Sequence, residues 1–249
     1  MKIIFNADDY GYSKGVNLGI IEAYENGLVR SATMMANMPG FEHAVLLLKA
    51  SPGLKIGVHL VLTSGPSLGG PYKTITDDEG NFLPQVQIAE KARKGLIDQA
   101  EVEKEYILQI EKILAAGITP THFDGHHHSH CLPGILDVFL KLAKKYEVAV
   151  RLLDRSVLAD EYANIKTAAF NGTFYGDSVT LEHLFCILEN CNEDTEIMCH
   201  PAYLDNFAYT DSSYNIVRMK ELELLTSQEA KILIKRFGHV LCSFEDIYS

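Results

Sequence analysis

Residues 2–27 read KIIFNADDYGYSKGVNLGIIEAYENG. The run KIIF at 2–5 has the continuous apolar character of a buried strand. Ser13 is placed to cap a helix in which Val16, Ile20, Ile21, Ala23 and Tyr24 recur at helical spacing, and Gly27 is placed to end it. A buried strand feeding a helix through a short loop is a βα unit, and this loop carries two adjacent aspartates, Asp8 and Asp9.

The same alternation continues along the chain. Apolar runs at 31–36, 55–62, 121–124, 148–153, 196–200 and 239–244 read as strands. Helical patterns occupy 41–50, 99–116, 135–146, 181–188 and 227–237. About seven strand–helix units predict an α/β fold with a TIM-like (β/α) barrel, complete or incomplete. An open doubly wound sheet is the alternative, although neither GxGxxG nor GxxxxGK[ST] is present to recommend a nucleotide fold. Residues 1–249 are expected to form a single domain with insertions near 64–98 and 155–180. The first insertion opens with a Gly-, Pro-, Asp- and Thr-rich loop at 64–86, the composition of a lid or substrate-binding segment.

Composition narrows the function. The net charge of −11 argues against nucleic acid and anionic membrane surfaces as partners. No apolar run approaches the roughly 20 residues of a membrane span. The five cysteines are odd in number and lack CxxC spacing, so reduced thiols are expected. The short apolar start is followed at once by two aspartates, so no secretory leader is expected and the expected compartment is the cytoplasm.

Four polar clusters fall at the C-terminal ends of predicted strands, the active-site face of parallel α/β folds. Asp8 and Asp9 follow the first strand; one can bind a metal while the other stands beside its water. His59 lies late in GVHLVL. The run HFDGHHHSH at 122–130 holds five of the ten histidines. In an extended chain His122, Asp124, His126, His128 and His130 share one parity. His126 is one candidate ligand there, and a His126/His130 pair at i, i+4 is the competing choice. His200 precedes Pro201, which favours an extended backbone, and an imidazole at a strand end suits a general acid.

The stretches NADDYGYSKGVNLGI, GVHLVLT, PTHFDGHHHSH and MCHPAYLD, in that order, resemble the YdjC/ChbG family of carbohydrate deacetylases. The match runs from residue 3 to beyond 205. The resemblance implies a (β/α) barrel-like fold, one divalent metal ion, and removal of N-acetyl groups from chitooligosaccharides such as diacetylchitobiose or its 6-phosphate. By motif position it implies Asp9, His59 and His126 as metal ligands, Asp8 as catalytic base and His200 as catalytic acid. It implies Mg²⁺ as the ion and a homodimer as the assembly. Ligand chemistry makes Zn²⁺, Co²⁺ or Mn²⁺ the competitors, since two imidazoles and a carboxylate form a mixed N/O site. Tyr10, Tyr12, Tyr203 and Asp205 flank the motifs as candidate sugar contacts. Arg151 lies at another strand end, where it would orient Asp8 or another polar group, touch substrate, or form a surface ion pair. Two rival readings stay open: a metal-dependent phosphoesterase on a similar barrel, and a sugar-binding protein without turnover.

Overall fold

The computed structural model describes residues 1–248. In chain order the first elements are β1 (Lys2–Tyr10), α1 (Lys14–Glu25), β2 (Ser31–Met34), α2 (Phe41–Ala50) and β3 (Lys55–Leu60). Then come α3 (Gln85–Arg93), α4 (Gln99–Ala115), β4 (His122–Gly125), α5 (Leu136–Tyr146), β5 (Ala149–Val150) and β6 (Ala169–Asn171). The last are α6 (Leu181–Asn190), β7 (Thr195–Cys199), α7 (Asn206–Asp211), α8 (Ile216–Thr226), α9 (Gln228–Arg236) and β8 (Val240–Leu241). The strands run in the order β5-β4-β3-β2-β1-β7-β6, with β8 beside β1. Parallel pairing joins β1 to β2, β7 and β8, β3 to β4, β4 to β5, and β6 to β7. The fold is an incomplete (β/α) barrel, as the alternation predicts. Among the described residues no helix is long and apolar enough to cross a membrane.

By internal contacts the described residues divide into two compact units: 1–34, 39–56 and 168–248 form one, 35–38 and 57–167 the other. The first is built on β1, whose Ile3, Ile4 and Phe5 are fully buried with Val16 and Ile20 of α1. Ser13 caps α1 by accepting from Val16 N at 3.2 Å, as its position predicts. Gly19 of α1 lets the chain after β7 come close: a Cβ there would lie 2.4 Å from Ala202 Cα. That close approach sets the backbone just beyond His200 directly on α1.

The second unit buries Val58 and Leu60 of β3, Phe123 of β4, Ile110 of α4 and Phe139 of α5. The 64–86 loop is tied to α4 rather than loose. Glu105, fully buried, accepts from the backbone N–H groups of Leu68 (3.0 Å) and Gly69 (3.0 Å) and from the Tyr72 hydroxyl (3.1 Å). Glu101, one turn earlier, accepts from Lys73 N at 2.9 Å and Thr74 N at 2.8 Å. A loop whose polar backbone is satisfied by one helix face has little conformational freedom left.

Several expectations are corrected. The strand predicted to 36 ends at Met34, the one predicted over 148–153 is only Ala149–Val150, and the last is only Val240–Leu241. The 155–180 stretch contains the short strand β6, and 64–98 contains α3. The helix α8 escapes the apolar count because its buried face carries Arg218 and Glu221 beside Leu222 and Leu225. These sit at the i, i+3, i+4, i+7 spacing of a core stripe, but half of them are charged.

Candidate metal and catalytic site

Asp8 and Asp9 are the seventh and eighth of the nine residues of β1, a strand that has one residue too many. Between Ala7/Ala32 and Tyr10/Met34, β1 uses three steps where β2 uses two. The extra residue is a β-bulge, a device that re-aims side chains. Asp9 takes it up in the left-handed region, at φ 68°. Aspartate tolerates that conformation better than most side chains. Strand alternation alone therefore does not set the two carboxylates' directions. Both are buried. Asn6 Nδ2 donates to Asp8 Oδ1 at 3.1 Å, and Arg218 Nη2 donates to Asp9 Oδ2 at 2.7 Å. Burial works against the Arg218 charge; Asp9 first, then Glu221 and Tyr12, outweigh it and hold the guanidinium ionised.

His200 leaves the end of β7 in the same unit. Its Nε2 stands 3.9 Å from Asp8 Oδ2. Behind it lies Glu221, fully buried, with Oε1 3.9 Å from His200 Nδ1. Glu221 also accepts from the His200 backbone N–H and from the Tyr214 hydroxyl. Burial pushes the Glu221 carboxyl up to about 8, against the pull of those hydrogen bonds and of Arg218. The imidazole keeps 12% side-chain exposure, so it can meet solvent or a ligand. Sequence reasoning missed Arg218, Glu221 and Tyr214. The legible signal was the charged pair interrupting the leucine stripe of α8.

In the second unit His59 and His126 come together. His59 Nδ1 lies 2.7 Å from Asp124 Oδ1, and Asp124 Oδ2 lies 3.1 Å from Arg151 Nη1. Burial alone would raise the Asp124 carboxyl, but the Arg151 guanidinium and His59 hold it well below the usual carboxylate range. An ionised Asp124 takes the Nδ1–H of His59, which leaves the Nε2 lone pair of that ring facing His126 Nδ1 at 3.3 Å. A carboxylate that orients one imidazole nitrogen while the other faces outward is the usual support of a metal-ligating histidine. The histidine triplet is not extended. His127 and His128 have left-handed φ values of 54° and 53° within the turn His126–Cys131, so the parity expected from HFDGHHHSH ends at Gly125. His127 is exposed, with Nδ1 3.0 Å from Thr63 Oγ1.

Two sets of side chains carry donor types suited to a metal ion: Asp9, His59 and His126, or Asp8, His59 and Asp124. The chemistry favours the first. Asp124 has one oxygen on His59 and the other on Arg151, so its donor capacity is spent on protein partners. One carboxylate and two neutral imidazoles fit a divalent cation with mixed N/O preference and leave further positions for water.

The remaining candidates separate. Tyr10 is 0% exposed and its hydroxyl donates to the Ala44 carbonyl at 2.9 Å, so it belongs to the core and not to a sugar contact. Asp205 caps α7, accepting from Ala208 N at 2.9 Å and from Gly15 N at 2.7 Å; its carboxylate is structural. Arg151 is buried on Asp124 and is neither a substrate contact nor a surface ion pair. His130 belongs to neither metal-capable set. It is fully buried against Phe139, its Nε2 is 3.1 Å from the Arg151 carbonyl, and burial drives its pKa down to about 3. Tyr203 remains 48% exposed, and Tyr12 donates to Asp211 at 2.7 Å.

Arg151 thus has a measurable structural role. Replacing it with methionine leaves the buried Asp124 charge without its cation, a change expected to cost about 3–5 kcal/mol. The folded carboxyl is held below its unfolded value near 3.9. Its contribution is therefore full above that value and is lost as pH falls below about 4. Thermal melts of Arg151→Met should run roughly 10 °C below wild type at pH 7. The gap should narrow in the acid range.

Residues 2–236 match the family model described as YdjC-like protein. A carbohydrate deacetylase of Brevibacillus brevis is 43% identical over 254 residues, covering 99% of this chain and all of the relative. A carbohydrate deacetylase of Clostridium beijerinckii is 43% identical over 251 residues with the same coverage. A crystal structure from Enterococcus faecalis, named for cellobiose-phosphate cleavage, superposes with a TM-score of 0.89 at 32% identity, covering 98% of this chain and 97% of that one. A match that spans nearly the whole length, in sequence and in fold alike, makes the chain a member of the YdjC-like family.

Proposed function

We propose that this protein is a metal-dependent carbohydrate deacetylase, with its two compact units working as one catalytic domain. Its substrates are acetylated amino sugars such as chitooligosaccharides, and its products are acetate and a free amino sugar. The observation that carries the reading is the division of labour at the end of β1: one carboxylate is held by Arg218, while its neighbour stands 3.9 Å from an imidazole. The deacetylase names of the relatives supply the reaction class.

Asp9, His59 and His126 would hold the cation. When bound, such an ion lowers the pKa of water and polarises an amide carbonyl. Asp8 accepts the proton of the attacking water. Protonated His200 gives its proton to the amide nitrogen as the C–N bond breaks, because an amide anion is too basic to leave. Asp8 then carries a proton and His200 lacks one, and transfer between them, directly or through water, restores the starting state. Arg218 keeps Asp9 from rotating, and Asp124 keeps His59 in the tautomer that offers Nε2.

A phosphorylated disaccharide is the second substrate form, favoured by the name of the Enterococcus faecalis relative. The test is acetate release from N,N′-diacetylchitobiose and its 6-phosphate, with inorganic phosphate measured in parallel. Acetate without phosphate is the expected result. Phosphate without acetate would make the protein a phosphoesterase, and sugar binding with neither product would make it a lectin-like relative.

A further inference from the structure

The mechanism above uses His200 but leaves unexplained the aromatic side chains beside it. Tyr175 lies in the 155–180 stretch and Tyr214 just before α8. Their rings stack nearly parallel, with centroids 4.0 Å apart and planes 11° from each other. Both meet the His200 imidazole edge-on, at 5.7 Å for Tyr175 and 5.3 Å for Tyr214. Tyr214 is fixed from below. Its hydroxyl donates to Glu221 and accepts from Gly176 N at 3.1 Å, and its carbonyl accepts from Arg218 Nε at 2.6 Å. Tyr175 is therefore backed on one face by an immobilised ring, yet it is 45% exposed. A large aromatic held this firmly and left this open has already lost the freedom that binding would otherwise cost.

A β-linked pyranose presents flat C–H faces with polar hydroxyls around its edge. Such a face matches the negative face of an aromatic ring. We infer that Tyr175 is the sugar platform of this enzyme, stacking the pyranose ring that carries the acetamide and so presenting its nitrogen to His200. This rests on the deacetylase reading for the identity of the ligand. The geometry also couples binding to chemistry, since Glu221 anchors both the ring behind the platform and the His200 backbone.

The chain contains no tryptophan, so Tyr175→Trp places one fluorophore at the site. Titrating Tyr175→Trp with N,N′-diacetylchitobiose should give a saturable change in emission, and Phe185→Trp, on α6 against Phe237, serves as the comparison position. In steady-state acetate release, Tyr175→Ala should raise KM roughly tenfold with kcat changed far less, and Tyr175→Phe should recover most of that loss because it keeps the ring. A silent Tyr175→Trp together with an unchanged KM in Tyr175→Ala overturns the inference. Equal loss of kcat in the Ala and Phe variants also overturns it, because it would make the hydroxyl or the local fold the cause. If wild type releases no acetate while Tyr175→Trp still reports saturable sugar binding, the platform stands and the deacetylase reading falls.

Discussion

Replacing Asp8 with asparagine is expected to lower kcat by roughly a hundredfold or more while leaving cation binding intact. The substitution is nearly isosteric, and the amide oxygen can still accept from Asn6, which holds Asp8 Oδ1 at 3.1 Å. What it removes is the capacity to accept a proton. His200→Ala should cause a loss of the same order by a different route, since the leaving nitrogen then departs without its proton. The two variants are separable by pH. A base must be ionised to work, so the loss of activity at low pH belongs to Asp8. An acid must be protonated, so the loss at high pH belongs to His200. The wild-type rate should be bell-shaped, Asp8→Asn should flatten the acid limb and His200→Ala the alkaline limb. Acetate release across pH, with cation affinity measured by calorimetry on the same preparations, checks both. Turnover within a few fold of wild type in either variant removes that residue from the chemistry.

Stripping the cation should abolish acetate release, and the ligand set predicts a graded series beneath that result. His126→Ala removes a donor and should leave no measurable turnover at micromolar cation. Asp124→Asn keeps every proposed ligand but no longer fixes His59 through a full carboxylate. It should weaken cation affinity by roughly 10–100-fold, and excess metal should restore activity. His130→Ala should cost stability through its packing on Phe139 and leave cation affinity unchanged. Restoration of the stripped protein with Mg²⁺, Zn²⁺, Co²⁺ and Mn²⁺ in turn identifies the working ion. Two imidazoles favour the transition metals, whereas Mg²⁺ prefers oxygen donors and retains its waters. Full activity after chelation, or equal affinity in His126→Ala, would show that these imidazoles serve another purpose.

Much of the fold could be read from local pattern. The apolar run of β1, the Ser13 cap, the helix at Gln99–Ala115 and the polar residues closing β1, β3, β4 and β7 are short-range features, carried by side-chain type and spacing. The five motif residues Asp8, Asp9, His59, His126 and His200 stand at those strand ends or one residue beyond. Local pattern failed where a residue's role depends on a neighbour distant in the chain. The bulge that turns Asp9 to a positive φ exists only in the register of β1 against β2. Arg151 reads as a surface or ligand-facing cation until Asp124 is seen against it in a dry interior. Tyr10 reads as a sugar contact until its hydroxyl is found on Ala44. Arg218 lies 209 residues from Asp9, and no periodicity links them. Burial of a charge is tolerable only when its partner arrives from elsewhere in the fold. Residue types and strand ends were therefore the sequence's to determine, while the pairing of buried charges, and with it the aim of each functional side chain, was decided by tertiary structure.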